Sequence, residues 1–385
     1  MPIAHALTQS LLIGTALLAS SPEPRTAVSV ETAPAPFSQT VEMERRPLIM
    51  GTITRLVAEG KDRGQALTAL GHIEQVLRDA EAELSTWRDD TALSLLNRAP
   101  LGRDVALPKT VDAELSRAVA CAELTDGAFD PAMGTLTQAW DLRGAGRIPT
   151  DDELHLALQS TGRHHLRRAD GSASPDWRRL ADVRVDEGGF GKGAALDRVQ
   201  GALAERPAGR VLVDLGGQML LHDPRPDGEP WTVAVADPDD RSTPVLALQL
   251  PRGSVATSAN SERAAGPVGH LLDPRSGRPA DDFGSVTVWA PDGLTADCLA
   301  TGLFVAGPDA ALALAAARDD VEVVVLERAG DGKLLARVSN GLRDRVETIS
   351  DRVSLPPHDT PNPKTSASPS PGRPHRPVEL DGPRR

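Results

Sequence analysis

Between residues 48 and 350 the apolar positions alternate between short runs and longer periodic stretches, and both ends of the chain lack either pattern. Residues 66–84 carry Leu70, Ile73, Leu77, Ala80 and Leu84 at three- and four-residue steps, which predicts an amphipathic helix. Residues 111–125 predict a second helix, with Gly127 near its C-cap position. Further helices are predicted over 133–142, 192–205, 294–306 and 308–318, where Pro308 suits a first turn because its missing amide would have no partner there. Short apolar runs at 48–57, 211–215, 231–235, 245–250, 286–289 and 321–326 predict strands. Gly/Pro/Asp clusters at 223–230 and 237–243 mark turns between them. Strand pairs and helices mix without strict βαβ alternation. The expected class is therefore α+β, with an extended mixed sheet and flanking helices.

The ends read differently. Residues 11–19 form a short apolar run followed by small residues, as in a signal-peptide core and cleavage site, and are too short to span a bilayer. Residues 22–42 then have the Pro/Ser/Thr/Ala composition of a linker. From Pro356 to Pro383 there are nine prolines, which fix φ and supply no amide donors, so a disordered tail is expected. The expected organisation is a leader and linker over 1–42, one catalytic domain over 43–350 and a tail over 351–385. A cleaved leader implies an exported protein of the periplasm or cell envelope, with no membrane span in the mature chain; a cytoplasmic protein is the alternative.

Charge and composition narrow the function classes. The net charge is −12 and no block of Lys/Arg offsets it, which argues against nucleic acid as the partner. Tyrosine is absent, so no mechanism here uses a phenol. The two cysteines, Cys121 and Cys298, cannot form a CxxC pair or a four-cysteine zinc site. Both lie in apolar helical stretches, and buried free thiols are expected.

Chemistry concentrates in a few segments. Asp186-Glu-Gly-Gly-Phe-Gly-Lys-Gly-Ala follows a short strand and opens a helix, so its glycines let backbone amides approach an anion and Lys192 adds a positive charge. It fails the P-loop pattern, because Gly193 stands where Ser or Thr must hold magnesium. It does match a dinucleotide fingerprint at Gly189, Gly191 and Ala194, with Asp214 downstream; a plain strand-to-helix turn reads equally well. In Gly269-His-Leu-Leu-Asp-Pro-Arg-Ser-Gly, His270 is a candidate base and Asp273 a candidate loop or metal residue, against a surface Asp-Pro turn. Asp297 and Thr301 lie four apart in a helix, so their oxygens share a face suited to a hard cation; local capping and back-bonding are the plain alternative. Phe129 and Asp130 sit in a polar turn able to stack on and bond a ring system, and His164 and His165 read as solvated surface.

Taken in order, the pieces form a resemblance. Met50-Gly-Thr, the Leu84-Ser-Thr-Trp-Arg-Asp-Asp-Thr segment, Gly127-Ala-Phe-Asp-Pro-Ala-Met-Gly, Gly188-Gly-Phe-Gly-Lys-Gly, Val213-Asp-Leu-Gly-Gly, Ala256-Thr-Ser, His270-Leu-Leu-Asp-Pro-Arg and Ala296-Asp-Cys-Leu-Ala-Thr resemble the ApbE-type FAD:protein FMN transferases. The resemblance covers roughly residues 48–340. It implies magnesium-assisted transfer of FMN from FAD onto a Ser or Thr of an acceptor flavoprotein, such as an electron-transport subunit. It implies His270 as the base, with Lys192 offsetting phosphate charge, and a metal held by Asp297, Thr301 and a backbone oxygen of Gly191. It implies FAD contacts at Met50, Thr86, Trp87, Ala128, Phe129, Asp130, Gly188, Ala194 and Leu272. The chain departs from the family where Ser258-Ala-Asn-Ser-Glu-Arg replaces the usual Ser-Gly-Asp-Tyr-x-Arg, and where Trp87 replaces a common Tyr and Ser276 a common Thr. Two competing readings are a Rossmann-type NAD(P)- or flavin-dependent oxidoreductase and a non-catalytic FAD-binding relative.

Overall fold

The computed structural model describes residues 40–169, 176–225, 228–260 and 269–356. The signal-like run, most of the linker, Ser261 and the proline-rich tail lie outside the described residues. A ten-stranded sheet organises the rest. Nine strands follow one another in space as Val41–Arg45, Thr52–Gly60, Val211–Leu215, Gln218–His222, Gly253–Ala259, Gly284–Ala290, Glu322–Arg328, Leu334–Val338 and Val353–Ser354. The tenth, Leu48–Ile49, pairs with Thr52–Gly60 alone. Every pairing in this sheet is antiparallel except the last, Leu334–Val338 with Val353–Ser354. The sheet takes in Val41 on the leader side and Ser354 on the tail side of the expected domain bounds.

Eight α-helices occur among the described residues: α1 Arg63–Leu84, α2 Ala92–Arg98, α3 Lys109–Leu124, α4 Gly134–Ala139, α5 Asp151–Gln159, α6 Gly191–Glu205, α7 Gly293–Ala306 and α8 Pro308–Ala316. Helix α1 buries the five periodic residues read from the sequence, together with Ala66, and Asp62 caps its first turn by accepting from the Gln65 amide at 2.8 Å. Helices α1, α6 and α7 pack against the sheet and α6 packs against both of the others. A three-stranded sheet of Trp231–Ala236, Pro244–Leu250 and Val346–Thr348 shares a core with the opposite face. Strand Glu322–Arg328 shows why its sequence lacks polar alternation. Val323 and Val325 enter the core under α7, while Val324 and Leu326 enter the core under the small sheet. A strand covered on both faces needs apolar side chains at odd and even positions alike.

Three expectations are corrected. The run at 48–57 is not one strand but a hairpin, reversed at Met50 and Gly51, whose φ values of 49° and 71° give the primed-turn geometry that matches strand twist. Met50 is strained there because its side chain crowds the backbone at positive φ. The cysteines are not free thiols: Cys121 on α3 and Cys298 on α7 form a disulfide across 177 residues of sequence. Packing of α3 on α7 brings the two apolar faces together, a fact that neither helix carries by itself. Finally, Asp214 serves no dinucleotide: it accepts from the Gly217 amide at 2.7 Å and closes an antiparallel hairpin, so no Rossmann βαβ unit follows the glycine turn.

Candidate active site

A cavity of about 700 Å³ opens between the glycine turn, α7, the Met50 hairpin and the 127–133 turn, a size within the range of cofactor sites. His270 and Lys192 both line it. So do Met50, Trp87, Ala128, Phe129, Asp130, Gly188 and Leu272, and so do Asp297 and Thr301. These residues come from segments more than 240 positions apart, and the fold gathers them. Three expected residues do not line it. Ala194 is fully buried in the core, Gly191 begins α6 beneath the Glu187 side chain, and Thr86 lies just behind the wall.

Helix α7 explains the placement of the oxygen donors. It is apolar and buried nearly all round, because α3, α6 and two strands enclose it. Asp297 is its one charged residue, and at 5 % exposure it needs a partner. The Gly193 amide donates to its Oδ2 at 2.9 Å. One turn on, Thr301 faces the glycine turn so closely that a Cβ on Gly189 would lie 3.1 Å from its Oγ1. Among the described residues no group of three or more His, Cys, Asp or Glu could hold a metal ion. One carboxylate and one hydroxyl lining the same cavity suit Mg²⁺, which keeps waters and completes its shell with substrate phosphate oxygens. The donor set fits that ion and does not fit zinc.

The opposite wall is ionic. Glu187 is buried and accepts from Thr86 twice, from its amide at 2.9 Å and from its hydroxyl. Burial, reinforced by the Asp186 carboxylate, raises the Glu187 pKa above the ordinary range. Arg143 donates to the Thr86 carbonyl at 2.7 Å and to Asp186 at 3.1 Å, and its guanidinium lies 5.0 Å from the centroid of the Trp87 ring. Trp87 itself is 59 % exposed at the mouth, a large flat surface open to a ring ligand. Asp130 accepts from the Ala132 amide at 2.8 Å and the Arg163 amide at 2.9 Å; burial raises its pKa. Glu81 accepts from the Met50 amide at 3.0 Å and so pins the strained hairpin tip against α1.

Sequence reading missed Glu81, Arg143, Asp186 and Glu187 as wall residues, as well as Thr257 and Ser258 on the sheet side. Asp186 and Glu187 carried a signal, since two carboxylates directly preceding a glycine turn are costly beside an anion unless something pairs them. Arg143 carried none. Asp273 is a turn residue: it accepts from the amide and Nε of Arg275, both at 2.9 Å, and does not line the cavity. His164 and His165 do not line the cavity, although the 3-10 turn that carries them bonds Asp130 through the Arg163 amide. His165, its ring tilted against that of His164, is half-buried rather than fully solvated, and burial lowers its pKa.

The site is thus a cleft with an exposed ring at its mouth, a glycine turn carrying Lys192, and hard oxygen donors on a buried helix. The ApbE family model matches residues 50–325. The FAD:protein FMN transferase of Treponema pallidum is 31 % identical over 335 residues, covering 82 % of this chain and 91 % of that protein. That of Vibrio cholerae is 30 % identical and covers 68 % and 79 %. Among solved structures, the flavin transferase ApbE from Vibrio cholerae superposes with a TM-score of 0.69 at 27 % identity, over 80 % of this chain and all of its own. The ApbE protein from Thermotoga maritima gives 0.69 at 29 % identity, over 78 % and 98 %. The chain belongs to the ApbE family.

Proposed function

We propose that this ApbE-family flavin transferase moves FMN from FAD, with Mg²⁺, onto a Ser or Thr hydroxyl of an acceptor protein. The observation that carries the reading is the convergence of His270, Lys192, Asp297 and Thr301 on one cavity that also presents Trp87 and Phe129. The reaction forms an oxygen–phosphorus bond to the acceptor and breaks the pyrophosphate bridge of FAD, releasing AMP. His270 takes the hydroxyl proton, which makes the acceptor oxygen nucleophilic. Lys192 faces the phosphates and offsets their charge, whereas the amides of Gly188, Phe190, Gly191 and Gly193 already donate to Asp186, Glu187 and Asp297. Asp297 and Thr301, with the Gly191 carbonyl that the family resemblance adds, would hold the metal, which supplies charge neutralisation at the departing phosphate. Trp87, backed by Arg143, orients the rings, and Phe129, buried in the cavity wall, packs against the glycine turn. Thr86 and Ala194 act from behind the wall, Thr86 through the Glu187 bond and Ala194 by letting α6 pack closely.

The acceptor is a flavoprotein with a short Ser/Thr-containing motif, of the kind that serves electron transport. An exported location agrees with the Cys121–Cys298 disulfide, because such bonds persist in oxidising compartments. The test is incubation of the full chain with FAD, Mg²⁺ and a candidate acceptor, followed by mass spectrometry. The expected product is FMN on one Ser or Thr, lost when that residue is Ala and when EDTA removes the ion. Undiminished transfer in EDTA would refute the metal, and FMN bound to a nitrogen side chain would refute the acceptor chemistry.

A further inference from the structure

Helices α6 and α7 carry the same spacing where they cross. Gly193 and Asp197 are four apart on α6, and Gly293 and Asp297 are four apart on α7. The bonds between them are reciprocal. The Gly193 amide donates to Asp297 at 2.9 Å, and the Gly293 amide donates to Asp197 at 2.5 Å. The Leu294 amide adds a longer contact to Asp197 at 3.4 Å. The two glycines make the crossing possible. A Cβ on Gly193 would lie 2.2 Å from the Gly293 carbonyl oxygen, and one on Gly293 would lie 2.4 Å from that of Gly193. No other residue type fits either position without parting the helices.

Asp197 has a cation of the chain beside it. Arg117 on α3 donates to Asp197 at 2.7 Å and also reaches Asp292, the residue that caps α7. Asp197 therefore sits between a permanent cation and the positive first turn of α7. Asp297 faces the cavity, where the proposed function supplies the cation. Because the first turn of α7 is held from outside by Asp197, the height and rotation of α7 are set one turn before Asp297.

We propose that Asp197, charge-balanced by Arg117, is a positioning residue for the metal: it clasps α7 onto α6 and so fixes Asp297 for cation binding. The inference rests on Asp297 as a cation ligand. Loss of an outer partner that orients a metal ligand typically weakens metal affinity about 10–100-fold.

The experiment titrates Mg²⁺ calorimetrically into the FAD-loaded full chain, for wild type, Asp197→Asn, Arg117→Lys and Asp297→Ala. FAD affinity without metal and thermal melting of the metal-free proteins are measured beside it. Asp197→Asn should weaken Mg²⁺ binding about 10–100-fold, leave metal-free FAD affinity near wild type, and recover FMN transfer at high Mg²⁺. Arg117→Lys, which keeps the charge but loses the planar fork, should shift affinity in the same direction by less; it carries the test if Asp197→Asn does not fold. Wild-type Mg²⁺ affinity in a folded Asp197→Asn, or in Arg117→Lys if that is the folded one, would overturn the clasp. Unchanged Mg²⁺ binding in Asp297→Ala would instead overturn the metal reading on which it rests.

Discussion

Glu187 holds Thr86 with both carboxylate oxygens, one on the amide at 2.9 Å and the other on the hydroxyl, across 101 residues of sequence. The bond joins the chain leaving α1 to the turn entering α6 and so ties the Trp87 side of the cavity to the glycine side.

That arrangement has a pH signature. The folded-state pKa of Glu187 is raised by burial and by Asp186, while the unfolded chain titrates normally. Between those two values the native state holds the proton and the unfolded state does not, so the contribution to stability is full below the unfolded pKa and is lost as pH rises through the folded one. Glu187→Gln keeps an acceptor for the Thr86 amide and cannot ionise. Melting of the metal-free protein from about pH 4 to about pH 8 should show a shallower loss in the variant than in wild type. Parallel curves would mean that Glu187 is not the group responsible.

Asp297→Ala should abolish Mg²⁺-dependent transfer while leaving FAD bound. It also strands the buried Gly193 amide, a loss of about 1–3 kcal/mol, so the fold survives at a lower melting temperature. Denaturant unfolding beside a transfer assay at saturating Mg²⁺ separates the two effects. Normal transfer at saturating ion would reduce Asp297 to a structural partner of Gly193.

His270 lines the cavity at the start of the turn that Asp273 and Arg275 lock, so its replacement need not disturb that turn. His270→Asn should retain FAD and Mg²⁺ and lose about 10²–10⁴-fold in single-turnover transfer. A variant that transfers at near-normal rate would leave the acceptor proton to some other base.

The disulfide lies one residue from Asp297 and ties α7 to α3. Replacing both Cys121 and Cys298 by Ala should cost about 2–4 kcal/mol, since the cross-link restricts the unfolded chain over a long loop. Urea unfolding with and without reductant provides the check: reductant should shift the wild type toward the double variant and leave that variant unmoved. Identical unfolding of all four samples would show that the two sulfurs are not bonded in solution.

The pattern of apolar positions predicts the helices α1, α3, α6, α7 and α8 and four runs of the large sheet, at 48–57, 211–215, 286–289 and 321–326, and it misses Val41–Arg45, Gln218–His222, Leu334–Val338 and Val353–Ser354. Helix α5 was not read, although Thr150 and Glu153 form a capping box there. Its short apolar set, Leu154 and Ala157, carries little period. Strand Gly253–Ala259 was seen only as a motif, since glycine, serine and alanine give a weak strand signal even where the sheet buries them.

By itself the sequence determined the α+β class, the family and the candidate residues, all of which are local patterns of residue type and spacing. Only the tertiary structure decided which of those residues share a cavity. It placed Ala194, Gly191 and Thr86 behind the wall, recruited Arg143 and Glu187 into it, and turned the Met50 run into a hairpin. It also joined Cys121 to Cys298 and crossed α6 with α7 so that Gly193 meets Asp297 and Gly293 meets Asp197. The physical reason is range. A helix or strand reports its own buried face through neighbours a few residues away, whereas a bond between residues about a hundred positions apart exists only once packing has brought their elements into contact.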